Sequence, residues 1–166
     1  MFLIIGELIN STRGEVKKAL QKRDEGFIRE LARAQYEAGA EVLDVNAGEM
    51  MEEEIEVTKW LTEIIQDEVQ DVRLAIDSAN PEAMEIGLEN CNNRPIINSI
   101  TNEEGNQQIR ELAAEHQDSD IIGLAMGEEG MPETVEERVS ETEALLSKCE
   151  KLDIDRKRLY IDTIAM

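Results

Sequence analysis

Short, continuously apolar runs alternate along the chain with longer segments of helical periodicity. The apolar runs are Phe2–Ile5, Glu41–Val45, Arg73–Ile76, Pro95–Asn98, Asp120–Met126 and Leu159–Thr163. Most are too short for amphipathic helices, and Val and Ile are common in them, so they predict six strands. Runs that are apolar without alternation suit strands covered on both faces. The intervening segments carry helix signals. Asn80-Pro81-Glu82 offers an N-cap, a proline at the first helical position and an acid in the first turn. Thr134-Val135-Glu136-Glu137 fits a capping box. Asp24 can cap a helix that presents Phe27, Leu31, Ala34 and Ala38 on one face and stops at Gly39. Val57, Leu61, Ile64 and Ile65 form a similar stripe beside Trp60, and both stripes predict core contacts.

A strand–helix–strand order requires parallel strands joined by right-handed crossovers. Two architectures fit it: an open doubly wound sheet and a (β/α)8 barrel. Both bind ligands beyond the C-terminal ends of their strands. The polar residues of this chain fall at those ends: Glu7 and Asn10 after the first strand, Asp44 and Asn46 at the second, and Asp77 at the third. Asn98, Met126 and Asp162 follow at the fourth, fifth and sixth. Each also admits a plainer role. Asp77 could cap the turn that follows it, Asn46-Ala47-Gly48 could be turn chemistry, and Glu7 could form a salt bridge.

Composition narrows the choice. At 166 residues the chain is the usual size of one domain. Its formal net charge of -21 repels nucleic acid and anionic lipid, so neither is expected as a partner. Between Ala34 and Ser147 the only cations are Lys59, Arg73, Arg94, Arg110 and Arg138, which argues against a clustered phosphate site, and the glycine-rich phosphate fingerprints are absent. Two separated cysteines, Cys91 and Cys149, and one histidine, His116, give no zinc pattern; no metal is expected, and the thiols suit a reducing cytoplasm. Nothing reaches transmembrane length, and Met1 to Ile5 is too short for a signal segment.

A rim of carboxylates and carboxamides with few cations suits a ligand rich in N–H donors. A 2-amino-4-oxo pyrimidine ring is one, since its amino group and adjacent ring N–H pair with a single carboxylate. At these positions the chain resembles the methyltetrahydrofolate:corrinoid methyltransferases, a family of pterin-binding enzymes. The matching segments are Ile5-Gly6-Glu7-Leu8-Ile9-Asn10, Leu43-Asp44-Val45-Asn46-Ala47-Gly48, Ile76-Asp77-Ser78-Ala79-Asn80, Ile97-Asn98-Ser99, Ile122-Gly123-Leu124-Ala125-Met126 and Leu159-Tyr160-Ile161-Asp162. They run in order along the whole chain. Leu8 departs from the pattern, standing where the family often has a basic residue.

The resemblance implies a (β/α)8 barrel of the TIM type, with about six of eight βα units present and residues 1–166 forming one incomplete pterin-binding domain. It implies that Asp77, Asn98 and Asp162 hold the pterin ring, with Asn46 and Glu7 nearby. The implied reaction moves a methyl group between N5 of methyltetrahydrofolate and the cobalt of a corrinoid (cobalamin) carried by a partner protein, and the implied assembly is a homodimer. The family's amide that reaches N5 would lie beyond Met166, so no catalytic residue is assigned. Two other functions remain: a non-catalytic or folate-binding fragment completed by a second polypeptide, and dihydropteroate synthase. The latter needs a pyrophosphate-binding cation set that Asp44-Val45-Asn46-Ala47-Gly48 lacks.

Overall fold

Every predicted run overlaps a strand, the first at Ile5 alone, and each of the first five strands is followed by helix. β1 (Ile5–Gly6) leads into α1 (Gly14–Lys22) and α2 (Glu25–Glu37), β2 (Val42–Val45) into α3 (Glu54–Glu68), and β3 (Arg73–Asp77) into α4 (Pro81–Glu89). β4 (Ile96–Ile100) leads into α5 (Gln107–Glu115) and β5 (Asp120–Leu124) into α6 (Val135–Lys151); β6 (Leu159–Asp162) follows. The computed structural model describes residues 3–164. Phe2, at the start of the first predicted strand, and Met166 lie outside that range. The chain packs as two compact units, one running through Pro95 and the other starting at Ile96.

In the first unit β2 is flanked by β1 and β3, both parallel to it. Val42, Leu43, Val45, Leu74, Ala75 and Ile76 are all buried, as the unbroken apolar pattern requires of a strand covered on both faces. Asp44 lies inside this layer, level with Ala75 and 2% exposed, so it belongs to the strand interior rather than to its tip. The α3 stripe of Val57, Leu61, Ile64 and Ile65 is buried as expected. Gly87 of α4 marks a close approach: a Cβ there would sit 2.8 Å from Ile76 Cγ2 and 3.1 Å from Thr58 Cγ2.

The α2 stripe differs from the expectation. Ile28, Ala32 and Gln35 form its buried line, Phe27 and Leu31 are half-buried, and Ala34 and Ala38 are exposed. Choosing the line by apolar side chains passed over Gln35, which is buried with its Oε1 accepting the Leu8 N–H at 2.8 Å. The predicted stop at Gly39 holds, with φ of 102°, and the predicted Asp24 cap accepts the Phe27 N–H. α1 has no capping signal at its start, since its N-cap, Arg13, makes no side-chain cap; Val16, Ala19 and Leu20 bury that helix.

In the second unit β5 lies between β4 and β6, again in parallel pairing, with a register shift between Asn98 and Ile100. Both halves of the predicted capping box at Thr134 and Glu137 are present. Arg158 is buried before β6 and donates to the carbonyls of Ala113, His116 and Ser119, tying the strand's entry to the end of α5. The fold is thus α/β, with parallel strand pairing in each unit.

Candidate functional site

Parallel strands bring the three C-terminal tips of the first unit to one edge. Backbone pairing continues past the strands: Ser11 N–H donates to Asn46 O at 3.0 Å, and Asn46 N–H donates to Ile9 O at 3.1 Å. This sets the buried Ser11 beside Asn46. The Ser11 hydroxyl donates to Asn46 Oδ1 at 2.7 Å, and the Gly48 N–H reaches the same oxygen at 3.2 Å. With the carbonyl end of its amide taken by two donors, Asn46 presents its Nδ2–H to Asp77 Oδ2 at 2.9 Å. Among the described residues of this unit, no donor reaches Asp77 Oδ1. A hollow of about 360 Å³ opens here, lined in part by Thr12, Asn46, Glu54, Asp77 and Asn80.

Burial pushes the Asp77 carboxyl above the usual aspartate range. The Asn46 bond pulls it back down, and the charges of Glu7 and Glu54 push it up again. Glu7 is exposed, close enough to be felt at Asp77 but not bonded to it. Glu54, at the start of α3, is 8% exposed; its Oε1 takes the Ser78 hydroxyl at 2.6 Å and its Oε2 the Asn80 amide at 3.4 Å. Ser78 Oγ also accepts the Asn80 N–H at 3.0 Å, so Ser78 caps the turn after β3. Asp77 is therefore spared the turn-capping role that its position at a strand end permits.

In the second unit Asn98 lies on β4 opposite Ile122, half-buried, and Asp162 ends β6 opposite Leu124. Both sit toward the C-terminal ends of strands that flank β5. Asp162 is exposed, and its Oδ1 accepts the Ile164 N–H at 2.7 Å, so part of its capacity goes to its own turn. Asn10, another predicted tip, is also turn chemistry: its Oδ1 takes the Thr12 N–H and hydroxyl. Ser11, Glu54, Ser78 and Asn80 were not singled out as site residues. The capping signal at Asn80 was visible, but the link from Ser78 and Asn80 back to Glu54 spans more than twenty residues and leaves no local pattern. Among the described residues, no group of three or more His, Cys, Asp or Glu side chains is arranged to hold a metal ion. No helix among them is long and apolar enough to cross a membrane.

Residues 6–165 match the family described as pterin binding enzyme. The chain belongs to that family. Among its relatives is the methylcorrinoid:tetrahydrofolate methyltransferase of Eubacterium limosum, 34% identical over 99% of this chain and 61% of that protein. The methionine synthase of Mycobacterium leprae (strain TN) is 26% identical over 98% of this chain and 14% of its own length. The chain thus spans about three-fifths of the first relative and a small part of the second. A solved structure of Mycobacterium tuberculosis Rv1207 aligns over 97% of this chain and 60% of its own, with a TM-score of 0.57 at 15% identity, a likeness of fold.

Proposed function

We propose that this chain supplies the pterin-holding part of an enzyme that transfers a methyl group between N5 of methyltetrahydrofolate and the cobalt of a corrinoid protein. The observation that carries the proposal is Asp77: a half-buried carboxylate, oriented by Asn46 through one oxygen, that lines a hollow of about 360 Å³. Family membership and the names of both relatives support it. The donor set fits a pterin ring. Asp77 would accept from the 2-amino group and the neighbouring ring N–H, with Asn98 and Asp162 meeting the remaining polar edge and Glu7 near the mouth. The full architecture is proposed as a (β/α)8 barrel, to which these six strands and their helices belong. Residues 1–166 are proposed as one pterin-binding domain of it, acting as a cytoplasmic homodimer.

The corrinoid, held by its partner protein, supplies the cobalt that accepts or donates the methyl group. This chain's residues bind and orient the pterin so that N5 faces that partner, and hydrogen bonds favour the ring when N5 carries positive character. No covalent intermediate with the chain is required, and none of the five site residues is assigned to N5 itself.

Calorimetric titration of the chain with tetrahydrofolate, followed by a methyl-transfer assay with methylcobalamin, tests the proposal. Saturable binding that depends on Asp77 is the expected result. Absence of both binding and folate-dependent thermal stabilisation would overturn it.

A further inference from the structure

The hydrogen bonds around Asn46 give its side chain a structural task within the first unit. An asparagine amide has two acceptor lone pairs and two N–H donors. Here the oxygen takes the Ser11 hydroxyl at 2.7 Å and the Gly48 N–H at 3.2 Å, while one donor goes to Asp77 Oδ2 at 2.9 Å. Its acceptor capacity is filled by the chain itself. Ser11 is fixed in turn: fully buried, it accepts the Glu49 N–H at 3.0 Å, which leaves its single proton for Asn46. A directed relay results, from Glu49 N–H to Ser11, from Ser11 to Asn46, and from Asn46 to Asp77.

We infer that Ser11 is a positioning residue for pterin binding, and that with Asn46 it holds Asp77 in the ionised, correctly turned form a pterin edge requires. This rests on the function proposed above. The electrostatic setting gives the relay its purpose. The acidic groups around Asp77 in this unit are Glu7 after β1, Glu49 between β2 and α3, and Glu54 at the start of α3; Glu7 and Glu54 disfavour its charge, as does burial. Of these acids, Glu49 is paired with Lys17 at 2.8 Å. Among the described residues of the unit, the Asn46 N–H is the hydrogen bond that favours ionised Asp77. A flipped Asn46 would turn an oxygen toward the carboxylate, and the two donors on its other end forbid that flip.

Ser11→Ala removes the relay's hydroxyl without touching Asp77. Two measurements on the full chain test the inference. In the first, carboxyl carbon NMR follows Asp77 through an acid titration without ligand; Ser11→Ala should move its midpoint to higher pH. In the second, tetrahydrofolate affinity is measured against pH; the acid limb should move in the same direction, with affinity at neutral pH reduced roughly tenfold, the scale of one lost hydrogen bond. Ile65→Val, which loosens the core away from the site, should lower thermal stability and leave both profiles in place. Should Ser11→Ala not fold, Ser11→Cys keeps the packing with a much weaker donor and should shift both profiles the same way. An Asp77 midpoint unchanged in whichever Ser11 variant folds overturns the inference, whatever folate does. A shifted midpoint in a chain that never binds tetrahydrofolate keeps the relay and removes the proposed function.

Discussion

Asn46 donates a hydrogen bond to Asp77 from the tip of the adjacent parallel strand, Nδ2 to Oδ2 at 2.9 Å. The contact spans 31 residues of sequence and exists because β2 and β3 run parallel in a register that pairs Val45 with Ile76. It engages one of the two Asp77 carboxylate oxygens.

Removing the Asp77 charge should separate binding from stability. Asp77→Asn turns a charged acceptor into an amide and should weaken tetrahydrofolate binding on the order of 10- to 150-fold, the equivalent of a charge-assisted bond worth about 1.5–3 kcal/mol. The same change removes a charge that burial and neighbouring carboxylates disfavour, so the melting temperature near neutral pH should rise. Calorimetry for both quantities decides it; a variant that binds as tightly as the parent refutes the role given to Asp77.

The sign of the pH dependence follows. Asp77 is shifted upward from its ordinary value of 3.8, so between that value and its raised midpoint the folded chain holds more proton than the unfolded one. This group's contribution to stability is therefore greatest below 3.8 and declines as pH rises through the folded midpoint. Asp77→Asn should accordingly gain its stability advantage over the parent as pH rises through that window. Ligand affinity runs the other way, falling as acid protonates Asp77, at a higher pH than an ordinary aspartate would give. Paired unfolding and titration series between mildly acidic and neutral pH measure both slopes.

Gly87→Ala should destabilise the first unit by about 1–3 kcal/mol, because overpacking a filled interior forces neighbours to move. Its new methyl would lie 2.8 Å from a branch of Ile76. Ile76 precedes Asp77, so folate affinity should fall as well. Denaturant unfolding gives the first number and titration the second.

Arg158→Met should destabilise the second unit by roughly 1–3 kcal/mol, since it takes the guanidinium donor away from the buried carbonyls of Ala113 and Ser119. Hydrogen exchange should report the loss first at β6.

Cys91 should resist thiol reagents at pH 8 in the folded chain. Burial pushes its thiol up to about 12, so almost no thiolate is present. Its reaction with a disulfide reagent should track unfolding; a fast reaction in native buffer would contradict the burial.

The alternation of elements was legible because apolar runs, caps and prolines are local. Asn80, Asp24 and Thr134 cap the helices they precede in the sequence. Asp77 and Asn46 were legible as strand tips for the same reason. Ser11 was not, since its partner Asn46 lies 35 residues away and is reached only through pairing beyond β1. The α2 face was misplaced because Gln35 is buried and bonded to Leu8, a contact with no apolar signature.

The sequence by itself determined the βα order, the aliphatic core and the residues at the strand ends, because short-range propensity and hydrophobic burial act on neighbours along the chain. Tertiary structure alone decided what each tip does. Asp77 accepts from Asn46 across to the neighbouring strand, while Asp162 accepts from Ile164 in its own turn. Those outcomes depend on which donors arrive from distant segments, and a buried polar group takes its role from the partners that satisfy it.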